Sequence, residues 1–107
     1  MRGYTERALA ASTGFLERLG MTGIETVGEM LVSAQDGDEK VLVGVFVSDW
    51  GEDVRAEAQQ YTRVTRLMET TASRHHGYDR VDAVYITVLA EDRALLKYHR
   101  DLPVKRG

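Results

Sequence analysis

Cysteine is absent from this chain of 107 residues, which excludes disulfide bonds and thiolate metal sites. Proline occurs once, and no Pro-rich linker divides the chain. No apolar run approaches the roughly 20 residues that a membrane-spanning helix needs. The opening residues 1–7 mix charged and small side chains, unlike the apolar stretch of a signal peptide. We therefore expect a cytoplasmic protein that does not associate with membranes.

A surplus of basic residues is also missing. The formal net charge is −3 and the isoelectric point is about 5.6. Nucleic-acid-binding domains are commonly basic, because neutralising phosphates supplies much of their affinity. The bulk charge therefore disfavours a nucleic-acid partner unless basic side chains collect in one patch. What the chain does have is an apolar fraction of 43%, which suits a single globular domain over residues 1–107.

Hydrophobic periodicity predicts two helices and four strands. The helices cover Tyr4–Leu19 and Glu52–Arg74, where apolar residues recur at three- and four-residue spacing. The predicted strands cover residues 27–35, 41–48, 81–90 and 94–99, with a short extra strand considered over residues 21–25. The order α-β-β-α-β-β indicates an α/β fold with a mixed central sheet flanked by helices. We expect residues 100–107 to fray.

Two details of this prediction bear on the core. Residues 36–39 have the composition of a turn, so the first two strands are expected to form a hairpin. The second strand, residues 41–47, has no polar side chain on either face and is expected at the centre of the sheet. The predicted buried faces of the helices are Ala8, Ala11, Phe15, Leu16 and Leu19, and then Val54, Ala58, Tyr61, Val64, Met68 and Ala72.

Four segments form an ordered pattern: Gly28–Gly37, Val41–Phe46, Tyr78–Val84 and Leu95–Arg100. Taken in order, they resemble the YraN-like family of small endonuclease-like proteins. In that family a helix with a Glu precedes a Gly-Glu-Ile-Asp strand, an Asp-Gly turn and a strand ending Glu-Val-Lys. A long helix then leads to an apolar strand with an Asp and a short strand with a His. The resemblance implies a restriction-endonuclease-like fold and an involvement with DNA.

Nucleases of this class cut with an acid on one strand and Glu-x-Lys on the next. The carboxylates hold Mg²⁺ or Mn²⁺, which activates a water, and the lysine positions the nucleophile. At the matching positions this sequence has Leu31, Gly44 and Phe46. Our leading hypothesis is therefore a catalytically inactive nuclease-like domain that needs no cofactor and acts by binding. A partner protein or a second copy of the chain is the first expectation, and nucleic acid is the second.

An active metal-dependent DNA endonuclease with a relocated acidic site is the alternative. Glu29 and Glu6 match the family's other acids, and Asp49 follows the central strand. Their carboxylates are the ligands that Mg²⁺ and Mn²⁺ prefer. Asp49, Glu52 and Asp53 also suit the start of the second helix, where acidic side chains cap the backbone and complement the dipole. Capping alone accounts for the spacing of these three residues.

Two further features indicate contact surfaces. On the second helix, within an arc of about 100° opposite the apolar face, lie Arg55, Arg63, Arg66 and Arg74. This arginine ridge is either an ordinary solvated face or a surface that tracks a phosphate backbone. Trp50, directly after the central strand, is either a partner contact or a core residue. His99 is expected as a satisfied or surface histidine and not as a metal ligand.

Overall fold

The computed structural model describes residues 2–49, 54–74, 77–90 and 93–102, with the backbone alone described for residues 2–5, 49, 54–58 and 73–74. Within these ranges the chain forms α1 (Arg2–Arg18), β1 (Thr22–Gly28), β2 (Leu31–Asp36), β3 (Glu39–Asp49), α2 (Val54–Arg74), β4 (Arg80–Ala90) and β5 (Arg93–His99). In this part of the chain, neither helix combines the length and the apolar composition that crossing a bilayer requires.

The strands form one mixed sheet in the order β1-β2-β3-β4-β5. β1, β2 and β3 are antiparallel neighbours, β3 and β4 are parallel, and β4 and β5 are antiparallel. A parallel pair needs a crossover connection, which α2 provides between β3 and β4. The predicted α/β class with a mixed sheet is therefore confirmed.

The two helices pack on opposite faces of the sheet. Phe46 of β3 contacts Tyr61 of α2, with ring centroids 5.3 Å apart. Tyr98 of β5 contacts Phe15 of α1, with centroids 5.6 Å apart, and the strand register places Tyr98 in one row with Val45. Because neighbouring residues of a strand point to opposite faces, Val45 and Phe46 face different helices.

The central position predicted for the apolar strand is confirmed. Residues 41–47 of β3 are all buried between the two helices, as expected of a strand that is apolar on both faces. The predicted hairpin is also present, because β2 ends at Asp36 and β3 begins at Glu39 in antiparallel register.

The prediction of one strand over residues 27–35 is wrong. The segment is divided by a turn at Glu29 and Met30, so the chain order is α-β-β-β-α-β-β. Met30 has a φ of 62°, a left-handed conformation that non-glycine residues rarely adopt. Its carbonyl accepts a hydrogen bond of 2.9 Å from the Val45 N–H. The short strand considered over residues 21–25 is present as part of β1.

α1 ends earlier than its apolar pattern predicts. Gly20 has a φ of 91°, and the N–H of Met21 donates to the carbonyl of Leu16 over 3.1 Å. This pattern is the Schellman motif of a helix C-terminus. Leu19 lies in this terminating turn and is 49% exposed, and Ala11 is exposed as well. The predicted burial of these two residues is therefore wrong. The buried residues of α1 are Ala8, Ser12 and Leu16.

The buried face of α2 is confirmed for Val64, Met68 and Ala72. Tyr61, predicted on the same face, is instead 53% exposed. It lies at the margin of the buried face, so that one side of its ring packs on Phe46 and the other side meets solvent. The side chains of Val54 and Ala58 lie outside the described residues.

The chain is held in place beyond β5. The N–H of Asp101 donates to Asp82 Oδ1 over 2.8 Å, and the N–H of Leu102 donates to the carbonyl of Val81 over 2.6 Å. The prediction that fraying begins at residue 100 is therefore wrong for these two residues. Residues 103–107 lie outside the described ranges.

Candidate functional site

The three positions matched to the nuclease residues lie side by side on the α2 face of the sheet. Leu31 of β2 is the register partner of Gly44 of β3, and Phe46 follows two residues later on the same face. Leu31 is 2% exposed and Phe46 is 6% exposed. Charged residues at these positions would converge on one point, whereas this chain places two apolar side chains and a glycine there.

Met68 of α2 fills the space above Gly44. A Cβ atom at position 44 would lie 2.9 Å from Met68 Cε and closer still to its Sδ. Real Cβ atoms do not approach neighbours so closely, because protein interiors are packed to the density of organic crystals. Met68 is itself fully buried. At Gly44 this chain therefore packs a thioether against bare backbone.

Phe46 belongs to a row of four ring side chains, Tyr61, Phe46, Tyr85 and His99, which we call the aromatic row. Phe46 stacks on Tyr85 with centroids 4.9 Å apart and an interplanar angle of 16°. His99 meets Tyr85 edge-on at 5.1 Å, and Tyr61 contacts the other side of Phe46. Burial raises the pKa of Tyr85, and the neighbouring charge of Tyr61 adds to the rise. The row connects α2 to β5 across the sheet.

The acids of the alternative metal site are not brought together in the part of the chain that is described. Glu29 pairs with Arg63 of α2 at 3.3 Å, both side chains being more than half exposed. Glu6 is exposed on α1, which packs on the opposite face of the sheet. Asp49 ends β3, and its side chain lies outside the described residues. Among described side chains, no group of three metal-binding residue types is placed to hold an ion.

Half of the predicted arginine ridge is described. Arg63 and Arg66 are both exposed on α2, and the pairing of Arg63 with Glu29 offsets part of their positive charge. Arg55 and Arg74 lie on the same helix, but their side chains are outside the described residues. Trp50, and Glu52 and Asp53 of the predicted helix cap, lie wholly outside the described residues.

A buried ionic network is the feature that the sequence analysis missed. Arg80 is 4% exposed and Asp82 is fully buried. The Nε and Nη2 atoms of Arg80 donate to the two oxygens of Asp82, each over 2.9 Å. Arg80 also donates to Asp36 over 2.8 Å and to Glu39 over 2.9 Å. One guanidinium thus joins β4 to both sides of the β2–β3 turn.

Asp82 is fully satisfied by its partners. Besides Arg80, it accepts hydrogen bonds from the Tyr98 hydroxyl and from the backbone N–H of Asp101. The hydrogen bonds to Asp82 raise the pKa of Arg80. A carboxylate with every lone pair engaged stabilises the fold and is not free for chemistry. The sequence signal was an Arg and an Asp two residues apart on an apolar strand, whose side chains therefore share one face.

Because of Tyr98, the stability of the folded protein is expected to vary with pH in the alkaline range. Burial raises its pKa above the ordinary value of 10.0, and its hydrogen bond to Asp82 raises it further. The neutral phenol is thus favoured in the folded state. Its contribution is fully present below pH 10 and is lost at higher pH, where unfolded chains release the proton and folded chains retain it.

We expect Tyr98→Phe to flatten the loss of stability above pH 10. The change in slope is expected to stay below about 1 kcal/mol per pH unit, because Tyr98 is only partly buried. The measurement is urea unfolding of wild type and variant between pH 8 and 11. Parallel curves for the two proteins would show that Tyr98 does not titrate with folding.

No family model matches this chain, and no curated protein matches it. The candidate site is therefore interpreted from its own geometry. That geometry consists of a helix-covered apolar patch around Gly44 and, next to it, the aromatic row.

Proposed function

We propose that this chain is a catalytically inactive, restriction-endonuclease-like domain that binds a partner without cutting it. The observation that carries the proposal is the apolar patch formed by Leu31, Gly44 and Phe46. The strand register places these residues next to one another, as the charged residues of a nuclease would need to be. Met68 then fills the space directly above Gly44.

The chemistry of phosphodiester cleavage explains why this patch is inactive. A divalent cation needs carboxylate oxygens to hold it, and it generates the attacking hydroxide from bound water. Leu31 and Phe46 offer no such ligands, and transferring a bare ion into an apolar environment is highly unfavourable. Glu29, the nearest acid along the chain, is engaged with Arg63 at the surface.

The order of elements supports kinship with the YraN-like family. The β2–β3 hairpin turns at Gly37, α2 follows it, β4 contains Asp82 and β5 contains His99. These features follow one another in the order that the resemblance implies. The segment matched to the family's first strand is divided by the turn at Glu29 and Met30, so the similarity in strand order begins at Leu31.

Exposed apolar side chains support a binding role. Leu95 of β5 is 61% exposed, and Leu89 of β4 is 38% exposed. Tyr61 adds a third large exposed side chain on the α2 side of the sheet. Single exposed apolar residues are ordinary on protein surfaces, and we take these three as part of the proposed contact surface because they lie on one side of the sheet.

The experiment is a cleavage assay combined with a metal titration. Purified protein is incubated with plasmid, branched and single-stranded DNA in Mg²⁺ or Mn²⁺, and we expect no cleavage beyond that of a chelated control. Calorimetry with Mn²⁺ is expected to show no saturable binding at millimolar metal. The alternative endonuclease predicts chelator-sensitive cleavage that disappears in Glu29→Ala with Asp49→Ala. Glu17→Ala, an exposed acid on α1, is the matched control.

A further inference from the structure

We infer that the aromatic row and the basic residues of β5 bind single-stranded nucleic acid, with bases stacked on the rings and a phosphate at Lys97. The inference rests on the proposed function, because it names a partner class for a domain that binds without cutting. It concerns a surface different from the arginine ridge, which lies on the side of α2 that faces away from the sheet.

The surface is available because α2 covers only part of its side of the sheet. The helix packs mainly on β3 and to a smaller extent on β2. The α2-side face of β5 extends beyond it. On β5 the residues of this face, Arg93, Leu95, Lys97 and His99, are all exposed. An open sheet face next to a helix thus lies beside the rings, with no described element above it.

The two end rings of the aromatic row are exposed to this open region. Tyr61 is 53% exposed at one end of the row, and His99 is exposed at the other. Consecutive centroids are 5.3, 4.9 and 5.1 Å apart. A cleft of about 160 Å³ adjoins Tyr61, Phe46 and Tyr85 and includes Thr65 and Leu102 in its lining. Exposed rings of this kind stack with any base, because every base has a π-face.

Charge favours an anionic occupant along β5. Arg93 and Lys97 share the face of His99, and β5 contains no acidic residue. Glu91 and Asp92 precede Arg93 in the sequence, so we place the phosphate contact at the Lys97 end. Glu69, which lines the cleft, lies on the α2 side and away from β5. A local basic strand of this kind allows a chain of net charge −3 to bind phosphates.

Other occupants fit this surface less well. A second copy of the chain pairing through β5 would bring Arg93 and Lys97 close to the same residues of its partner, and like charges across a strand pair are destabilising. A peptide strand added to the β5 edge would use backbone hydrogen bonds and would leave the exposed ring of Tyr61 without a role. Nucleic acid uses both the rings and the cations.

The test is fluorescence anisotropy with a labelled oligothymidine of about 15 nucleotides. Wild-type protein is expected to bind it about tenfold more tightly than a duplex of equal length, because paired bases cannot stack on the rings. Tyr61→Ala is expected to weaken binding about tenfold, whereas Tyr61→Phe, which keeps the ring, leaves it unchanged. Lys97→Glu is expected to weaken binding. It is also expected to reduce the slope of the logarithm of the binding constant against the logarithm of the salt concentration by about 0.7, the value for one lost phosphate contact.

Arg66→Glu is the matched control for charge, because Arg66 is exposed on the arginine ridge and not on the row. All these substitutions are at exposed positions, and circular dichroism verifies that each variant folds. Binding that survives Tyr61→Ala and Lys97→Glu but is lost in Arg66→Glu would assign the contact to the ridge and overturn the inference. Absence of oligothymidine binding would also overturn the inference. So would a dimer, detected by sedimentation and abolished by Leu95→Glu, because this face of β5 would then be an interface between two copies of the chain.

The outcomes separate this inference from the proposed function. If oligothymidine does not bind, the proposed function still holds in the form of an inactive domain that binds a protein. Cleavage of the bound oligothymidine in Mn²⁺, suppressed by chelator, would instead overturn the proposed inactivity while leaving the stacking site in place. The anisotropy and cleavage experiments use the same chain of 107 residues.

Discussion

Asp82→Ala is expected to lower the free energy of unfolding by about 3–5 kcal/mol, because it leaves the buried Arg80 guanidinium without its main partner. The variant also removes the acceptor for the Tyr98 hydroxyl and for the backbone N–H of Asp101. Native domains are stable by only about 5–15 kcal/mol in total. The loss is thus a large part of the stability, and urea unfolding at pH 7 measures it.

Two further variants serve as comparisons for Asp82→Ala. Asp82→Asn keeps the shape of the side chain but removes its charge. We therefore expect its free energy of unfolding to lie between those of wild type and Asp82→Ala. Arg63→Ala breaks an ion pair whose side chains are 58% and 60% exposed, and we expect a change within about 0.5 kcal/mol. A loss below about 1 kcal/mol in Asp82→Ala would show that the network contributes little.

Gly44→Ala is expected to destabilise the protein by about 1–3 kcal/mol, because the added methyl group forces Met68 out of its position. The family's glutamate at this position, tested as Gly44→Glu, is expected to abolish folding, since a carboxylate would be buried among apolar groups without a partner. Thermal unfolding followed by circular dichroism measures both variants. A Gly44→Ala protein as stable as wild type would contradict the close packing described here.

The clash itself is tested by a double-mutant cycle. Met68→Ala alone is expected to cost about 2–5 kcal/mol through the cavity that it creates. In the Met68→Ala background, Gly44→Ala is expected to be close to neutral, giving a coupling energy of at least about 1 kcal/mol. Gly14→Ala is the matched control, because nothing lies within 4 Å of a Cβ at that position of α1. We expect Gly14→Ala to stabilise the protein by up to about 1 kcal/mol.

Most of the fold follows from local sequence patterns. The central position of β3 was predictable because residues 41–47 are apolar on both faces. The hairpin was predictable because its turn, Gly37 and Asp38, lies in a segment of turn-forming residues. The turn at Met30 could not be predicted in this way. Its left-handed backbone usually requires glycine or asparagine, and methionine there gives no local signal. β1 was hard to identify because most of its residues are exposed, so burial imposes no pattern on them.

The candidate site was predicted less completely. Comparison with the nuclease pattern identified Leu31, Gly44 and Phe46, and the strand register then put them together. The seating of Met68 on Gly44 depends on how α2 crosses the sheet, which no local pattern specifies. The Arg80–Asp82 network joins β4 to a turn distant in sequence. The acidic partners of Arg80 could not be predicted from the sequence, because they depend on the register of the strands.

The contact between Gly44 and Met68 also has an evolutionary consequence. A single base change that placed a larger residue at position 44 would meet the methionine, and a change at Met68 alone would open a cavity. Each first step is unfavourable, although a larger residue at position 44 costs little once Met68 has been replaced. The glycine at this position is therefore entrenched, because descendants of this sequence can acquire another side chain there only through less stable intermediates. Selection on such a lineage can alter the exposed surface more readily than the packing around Gly44.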